Sequence, residues 1–220
     1  MDGFYLGAGG GFAFMNAKDR SSSYMSTSAV ANGSNRSDLS KWGVFGTVEA
    51  GYDYQMNRFV VGAFTDFDLR SLKARKSTIG TSTATPSAPT PIHNVWYKVG
   101  NSWDAGVRLG YLVNDRNLLY ALGGYSGAQI SSGARLDLYN FGGGYVGSSP
   151  TASESGWKSG WMLGAGWEEA ITDHVSLKLE YRYADYGKAK SSNYASTNSY
   201  ARQSGDVSVQ SVRAVLNYRF

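Results

Sequence analysis

The chain has no cysteine, four prolines and two histidines in 220 residues. Without cysteine, neither a disulfide framework nor a thiolate metal site can form. Chemistry that needs a placed imidazole base has only His93 and His174 to draw on. No window approaches the roughly 18 apolar residues of a membrane-spanning helix, and the apolar run at 59–64 is broken by Gly62. Charge is scarce, at 17%, and the net charge of +4 is scattered along the chain. A nucleic-acid partner would want a basic stripe instead. No secretory leader opens the chain: Met1-Asp2-Gly3-Phe4 is already in strand pattern, as expected of a mature exported form with its signal peptide removed. None of these absences excludes a membrane, because barrels cross it with strands of about 9–11 residues.

Glycine and aromatics are plentiful, with 28 Gly, 16 Tyr, 9 Phe and 6 Trp. Eight segments alternate with period two, the signature of strands with unlike faces. They lie near 4–15, 42–54, 58–70, 102–112, 118–130, 160–170, 175–186 and 212–220. The last is the clearest: Val212, Ala214, Leu216, Tyr218 and Phe220 oppose Arg213, Asn217 and Arg219. The fifth is Gly-rich, and its facing stays open. Short connections at 55–57, 113–117 and 171–174 alternate with long polar ones at 16–41, 71–101, 131–159 and 187–205. The long ones are predicted as loops, and all four prolines fall in them, as strands require.

Alternation alone does not say which face is inside. A soluble lipocalin-like barrel would turn the apolar face inward. Three features favour a membrane. Aromatics gather at both ends of the apolar face, with Trp42, Phe67, Trp103, Trp161 and Tyr183 near the long connections and Tyr54, Phe59, Tyr111, Trp167, Tyr218 and Phe220 near the short turns. Those are two interfacial belts. The polar face mixes glycine with both signs of charge, which suits a crowded interior. No helical segment is evident to flank a lipocalin. The predicted fold is all-β: one domain over residues 1–220, an eight-stranded antiparallel transmembrane up-and-down β-barrel.

Four stretches carry a family likeness. They are Gly3-Phe4-Tyr5-Leu6-Gly7-Ala8, then Gly164-Ala165-Gly166-Trp167-Glu168 with Thr172-Asp173, then Ser176-Leu177-Lys178-Leu179-Glu180-Tyr181-Arg182-Tyr183, and the ending Asn217-Tyr218-Arg219-Phe220. Together they resemble the small outer-membrane β-barrel "porin family" of alphaproteobacteria, which includes outer-membrane immunogenic and hemin-binding surface proteins. The likeness covers both ends and the last three strands. It implies a monomer in the bacterial outer membrane with both termini periplasmic. It also implies that Tyr218 and Phe220 form the C-terminal signal read by the outer-membrane assembly machinery.

The interior of an eight-stranded barrel is just wide enough for side chains to fill. The polar face carries Glu49, Asp53, Arg58, Asp66, Asp68, Arg70, Asp104, Arg108, Glu168, Lys178, Glu180, Arg182, Arg213 and Arg219. Near balance of sign allows these to pair as a salt-bridge network filling the lumen, which buried charges require. The expected function is therefore a non-enzymatic surface protein with a structural, envelope-integrity and surface-interaction role. The alternative is a narrow porin binding hemin or a small solute.

No catalytic or metal site is predicted. Haem ligation would need an axial His or Tyr in an apolar pocket, and His93 with Tyr97 is the candidate pair. Lys73, Arg75, Lys76 and Lys98 flank the predicted interface and are candidates to meet lipopolysaccharide phosphates. Host or envelope proteins are the candidate partners of the long connections.

Overall fold

The structure, a computed structural model, describes residues 2–27, 29–79, 90–140, 142–148, 151–196 and 199–220. Its strands are β1 (Gly3–Thr27), β2 (Ala29–Met56), β3 (Phe59–Arg70), β4 (Leu72–Ile79), β5 (Thr90–Asn114), β6 (Asn117–Tyr139), β7 (Tyr145–Ser148), β8 (Ala152–Ala170), β9 (Val175–Ser196) and β10 (Ser199–Arg219). All pairings are antiparallel. The ring runs β1-β2-β3-β5-β6-β8-β9-β10 and closes by pairing β10 with β1, Tyr5 opposite Arg219. β4 prolongs β3 past Ser71 on the same neighbour, and β7 is a short addition to β6. The wall is therefore eight strands in an up-and-down ring. Closure leaves no free edge along the lower wall, where an open sheet would expose unpaired backbone.

Phe220 donates its backbone N–H to the Phe4 carbonyl at 3.0 Å, so both ends of the chain meet at the short-turn end. Two short turns are centred on Asn57-Arg58 and Asp115-Arg116, and a third spans 171–174. Asn57 takes a φ of 55°, a left-handed turn conformation that asparagine tolerates.

Within a band at this end, the apolar face is outside. Val107 and Leu109 are 61% and 62% exposed, while Arg108 between them is 2% exposed. The band is bounded by ring pairs: Phe59 with Tyr111 at 5.4 Å on the turn side, Trp103 with Tyr125 at 5.8 Å and Trp161 with Tyr183 at 5.6 Å on the other. From Trp103 to Tyr111 is roughly 26 Å of strand at about 3.3 Å per residue, near the lower end of the about 9–11 residues with which a tilted strand crosses the apolar layer.

Where the structure describes the long connections predicted as loops, most of their residues continue the strands. β1 and β2 stay paired up to Thr27 opposite Ala29, and β5 stays paired with β6 up to Thr90 opposite Tyr139. Their alternation is hard to see because the hydrophobic phase inverts. Within the band Phe12 and Phe14 face out, but beyond it Ala13, Met15 and Ala17 of the same strand are buried inside. β10 does the same, from outward Val212 and Leu216 to inward Val207 and Val209. Lipid rewards apolar side chains outside; water above the membrane rewards them inside. Pro91 lies in β5 rather than in a loop, opposite Leu138 of β6, while Pro86, Pro89 and Pro150 lie outside the described residues.

Two bulges sit at the upper rim. Gly100 and Asn101 of β5 oppose Gln129 alone, and Tyr186 and Gly187 of β9 oppose Val207 alone. Gly187 takes the positive φ, 62°, that such a bulge asks for. The first bulge reverses the facing of β5, so that Tyr97, Val99 and Val95 turn inward above it.

Candidate functional site

The lumen gathers most of the buried charge of the described residues. Alternation on each strand sends Asp53 and Glu49 (β2), Asp66, Asp68 and Arg70 (β3), Asp104 and Arg108 (β5), Glu168 (β8), Lys178, Glu180 and Arg182 (β9), and Arg213 and Arg219 (β10) inward, and all are buried. Arg58 departs from that set. It falls in the β2–β3 turn and is exposed, because extending the strand's alternation through the turn assigned it a face it does not have.

Nearest the short turns, the Arg108 guanidinium bridges the wall. It donates to Asp53 at 2.8 Å and to Glu168 at 2.8 Å. Arg219 reaches the same two carboxylates at 2.9 and 3.4 Å, and the Ser176 hydroxyl donates to Glu168 at 2.6 Å. Tyr5 and Tyr120 flank Arg108, their ring centres 4.9 and 5.1 Å from its guanidinium carbon. Such stacking suits a weakly hydrated planar cation.

Each tyrosine lies over a glycine directly opposite on the next strand, Tyr5 over Gly51 and Tyr120 over Gly166. A Cβ on either glycine would fall on the tyrosine hydroxyl, and would also crowd a backbone carbonyl, at 2.7 Å from Ala63 and 2.8 Å from Leu179. These two glycines therefore leave the room the tyrosines need.

Higher up, Lys178 pairs with Glu49 and lies 3.6 Å from Glu180. Arg182 pairs with Glu180, with Asp66 at 2.7 Å and with Asp104 at 3.2 Å. Arg213 takes Asp66 at 3.2 Å and Asp68 at 3.1 Å. Asp66, Asp68 and Asp104 crowd within 4.8 Å of one another, and these two guanidiniums supply their counter-charge. Arg70 closes the layer, donating to the Tyr186 hydroxyl at 3.0 Å and the Gly100 carbonyl at 3.3 Å.

Above the charges the interior turns apolar: Met15, Leu39, Leu72, Val99, Ile130, Val207 and Val209 pack there with Tyr97 and Tyr186. The two layers place buried side chains along the inside of the barrel, from Arg219 near the short turns to Met15 and Leu39 at the rim.

Several of these residues were not legible as site residues. Tyr120, Leu118 and Leu122 face inward on β6, whose two faces are both apolar enough to hide its orientation. Tyr5 could have been read from its place opposite Phe4 and Leu6.

The remaining candidates fall elsewhere. Tyr97 is buried in the upper apolar layer, and the His93 side chain lies outside the described residues, although its backbone pairs in β5 with Thr78 and Leu136 rather than forming a loop. His174 is in the exposed 171–174 turn, stacked on Tyr218 at 5.9 Å. Tyr218 and Phe220 both face outward at the short-turn end, edge to face at 5.1 Å. Lys73 and Lys98 stand directly opposite on β4 and β5, with Arg75 and Lys76 further along β4.

Residues 2–220 match the family described as the outer membrane protein beta-barrel domain. The chain is 33% identical over 220 residues to a 31 kDa outer-membrane immunogenic protein of Brucella melitensis, covering 99% of this chain and 83% of that one. It is 28% identical to a 25 kDa outer-membrane immunogenic protein of Brucella abortus, covering 99% and 78%. Among solved structures, the outer membrane protein OprG of Pseudomonas aeruginosa aligns with a TM-score of 0.51 at 13% identity, over 100% of this chain and 96% of that one. That likeness is one of fold.

Proposed function

Because the chain belongs to the outer membrane β-barrel family, we propose that it is a monomeric, non-enzymatic surface protein that passes no solute and serves the bacterial outer membrane as a sealed anchor for long hairpin arms. The observation that carries this reading is the set of buried ion pairs inside the barrel. Its guanidiniums and carboxylates are buried and paired across the barrel, with apolar packing above them. A solute path would need solvated charges, whereas paired buried charges with apolar cover resist separation.

In this reading the short turns and both chain ends face the periplasm, and the arms stand outside the cell. Short turns on one side and long extensions on the other suit that orientation. The names of the two relatives, as immunogenic proteins, agree with arms presented outward. Tyr218 and Phe220, outward at the short-turn end, are available to the assembly machinery, and the arms to host or envelope molecules.

The orientation has a direct test, helped by the absence of native cysteine. A Ser77→Cys variant on intact cells should react with a membrane-impermeant maleimide, and an Asp115→Cys variant should react only after the outer membrane is permeabilised. The reverse pattern would overturn the orientation.

A further inference from the structure

Two strand edges come free at the same height on the wall. β2 pairs with β3 only as far up as Phe45 opposite Arg70. Above that, among the described residues, 29–44 of β2 pair with β1 alone, and β4 pairs with β5 alone. The two edges run near each other, within 8 Å between Cα atoms in places, without a ladder between them. A strand inserted between them would need roughly 9.6 Å, twice the ordinary strand spacing, which the seam does not offer where the edges come within 8 Å.

A groove of about 490 Å³ follows this seam, lined by Asp38, Leu39, Ser40, Lys41, Lys73, Ala74, Arg75 and Lys76. Four of those side chains are cations and one is an acid. Lys98 stands directly opposite Lys73 and adds a fifth cation. Among the described residues, no ion pair engages Lys41, Lys73, Arg75, Lys76 or Lys98. Like charges directly opposite in a sheet repel, and an anion bound among them would relieve the repulsion.

Height identifies the anion. Immediately below the groove the wall turns to the lipid face, where Trp42, Val44 and Leu69 are 64%, 66% and 60% exposed. Trp42 belongs with the upper aromatic belt, at the level where headgroups begin. A ligand seated here has phosphate above and acyl chain below.

We propose that the β2–β4 seam binds the phosphates of an outer-leaflet glycolipid, with Lys41, Lys73, Arg75 and Lys76 as the binding residues. Lys73 and Arg75 stand on the outer face of β4, while Lys41 and Lys76 alternate inward opposite Met15 and Val95 but line the groove where the seam is open. Lys41 joins the set only through the fold, since the sequence separates it from the others by most of a hairpin. The proposal rests on the orientation above, which sets these cations in the outer leaflet.

The test is binding of diphosphoryl lipid A to the refolded protein in detergent, followed by native mass spectrometry. The comparison is a Lys41→Gln/Lys73→Gln/Arg75→Gln/Lys76→Gln variant whose folding is verified by a heat-modifiable gel band. The double variant Lys41→Gln/Lys73→Gln stands in if the fourfold one does not fold. Wild type should retain the lipid, and the variant should lose affinity by about tenfold or more, given the worth of each cation near a charged surface. Equal binding by folded wild type and variant would overturn the seam. Full competition by inorganic pyrophosphate would also overturn it, assigning the groove to free anions rather than lipid. Because binding is read in detergent, it stands apart from the cysteine labelling, so failure of the seam and failure of the orientation are told apart.

Discussion

Replacing Arg182 by alanine is expected to destabilise the folded barrel by about 3–5 kcal/mol, the usual cost of removing one partner from a buried ion-pair network. Arg182 is buried and answers three carboxylates, Asp66 at 2.7 Å, Asp104 at 3.2 Å and its strand neighbour Glu180. Its guanidinium also lies 4.9 Å from the centre of the Phe64 ring. Truncation would leave Asp66 to Arg213 and Asp104 to the Ser126 hydroxyl, with the two acids still close together. Lysine at 182 should fall between, because a point charge cannot serve three acceptors as the planar fork does. Urea unfolding in lipid vesicles, followed by tryptophan fluorescence, measures all three proteins. Lys158→Ala is the comparison: its pair with Glu154 at 3.0 Å is partly exposed on both sides and should be worth under about 1 kcal/mol. If Arg182→Ala unfolded at the same urea concentration as wild type, the lumen charges would have to be solvated, and the sealed interior would be wrong.

The second large effect comes one residue away from an arginine the barrel needs. Val107→Arg should cost about 2–4 kcal/mol in a bilayer, the penalty for a cation near the midplane of the lipid face. Val107 sits midway along the band between Trp103 and Tyr111, while Arg108 beside it is buried and salt-bridged. In a soluble barrel with the same alternation, the outward position would accept arginine at almost no cost. Refolding yield and unfolding midpoint in vesicles distinguish the two cases. An unchanged midpoint for Val107→Arg would remove the lipid face, and with it the band drawn here.

What the sequence made legible follows from how each residue sees its surroundings. Within the band, inside and outside differ in kind, so alternation along Val212 to Phe220 or along Trp103 to Tyr111 is enough to assign faces. The arms escaped notice because the apolar face moves from outside to inside across Phe12, Ala13, Phe14 and Met15, where neighbouring residues on both faces are apolar and the period vanishes. The Gly100-Asn101 bulge hides the same change on β5 by shifting the phase. Arg58 differs for the opposite reason: the alternation of β3 does not extend into the turn at 57–58, where a period of two has no meaning. β6 was ambiguous since its inward Leu118, Tyr120 and Leu122 are as apolar as its lipid-facing neighbours. The grouping of Lys41 with Lys73, Arg75 and Lys76 is a product of where β2 and β3 part, which no local pattern records.

The most direct test of the sealed barrel is current through a planar bilayer containing the refolded protein, shown to be folded by its heat-modifiable band. The charged layer and the apolar layer above it predict a membrane that stays silent, with no stepwise rise in conductance as protein is added. Regular conductance steps that scale with salt concentration would mean a continuous aqueous path past Arg108, Arg182 and Arg213, and would contradict the account.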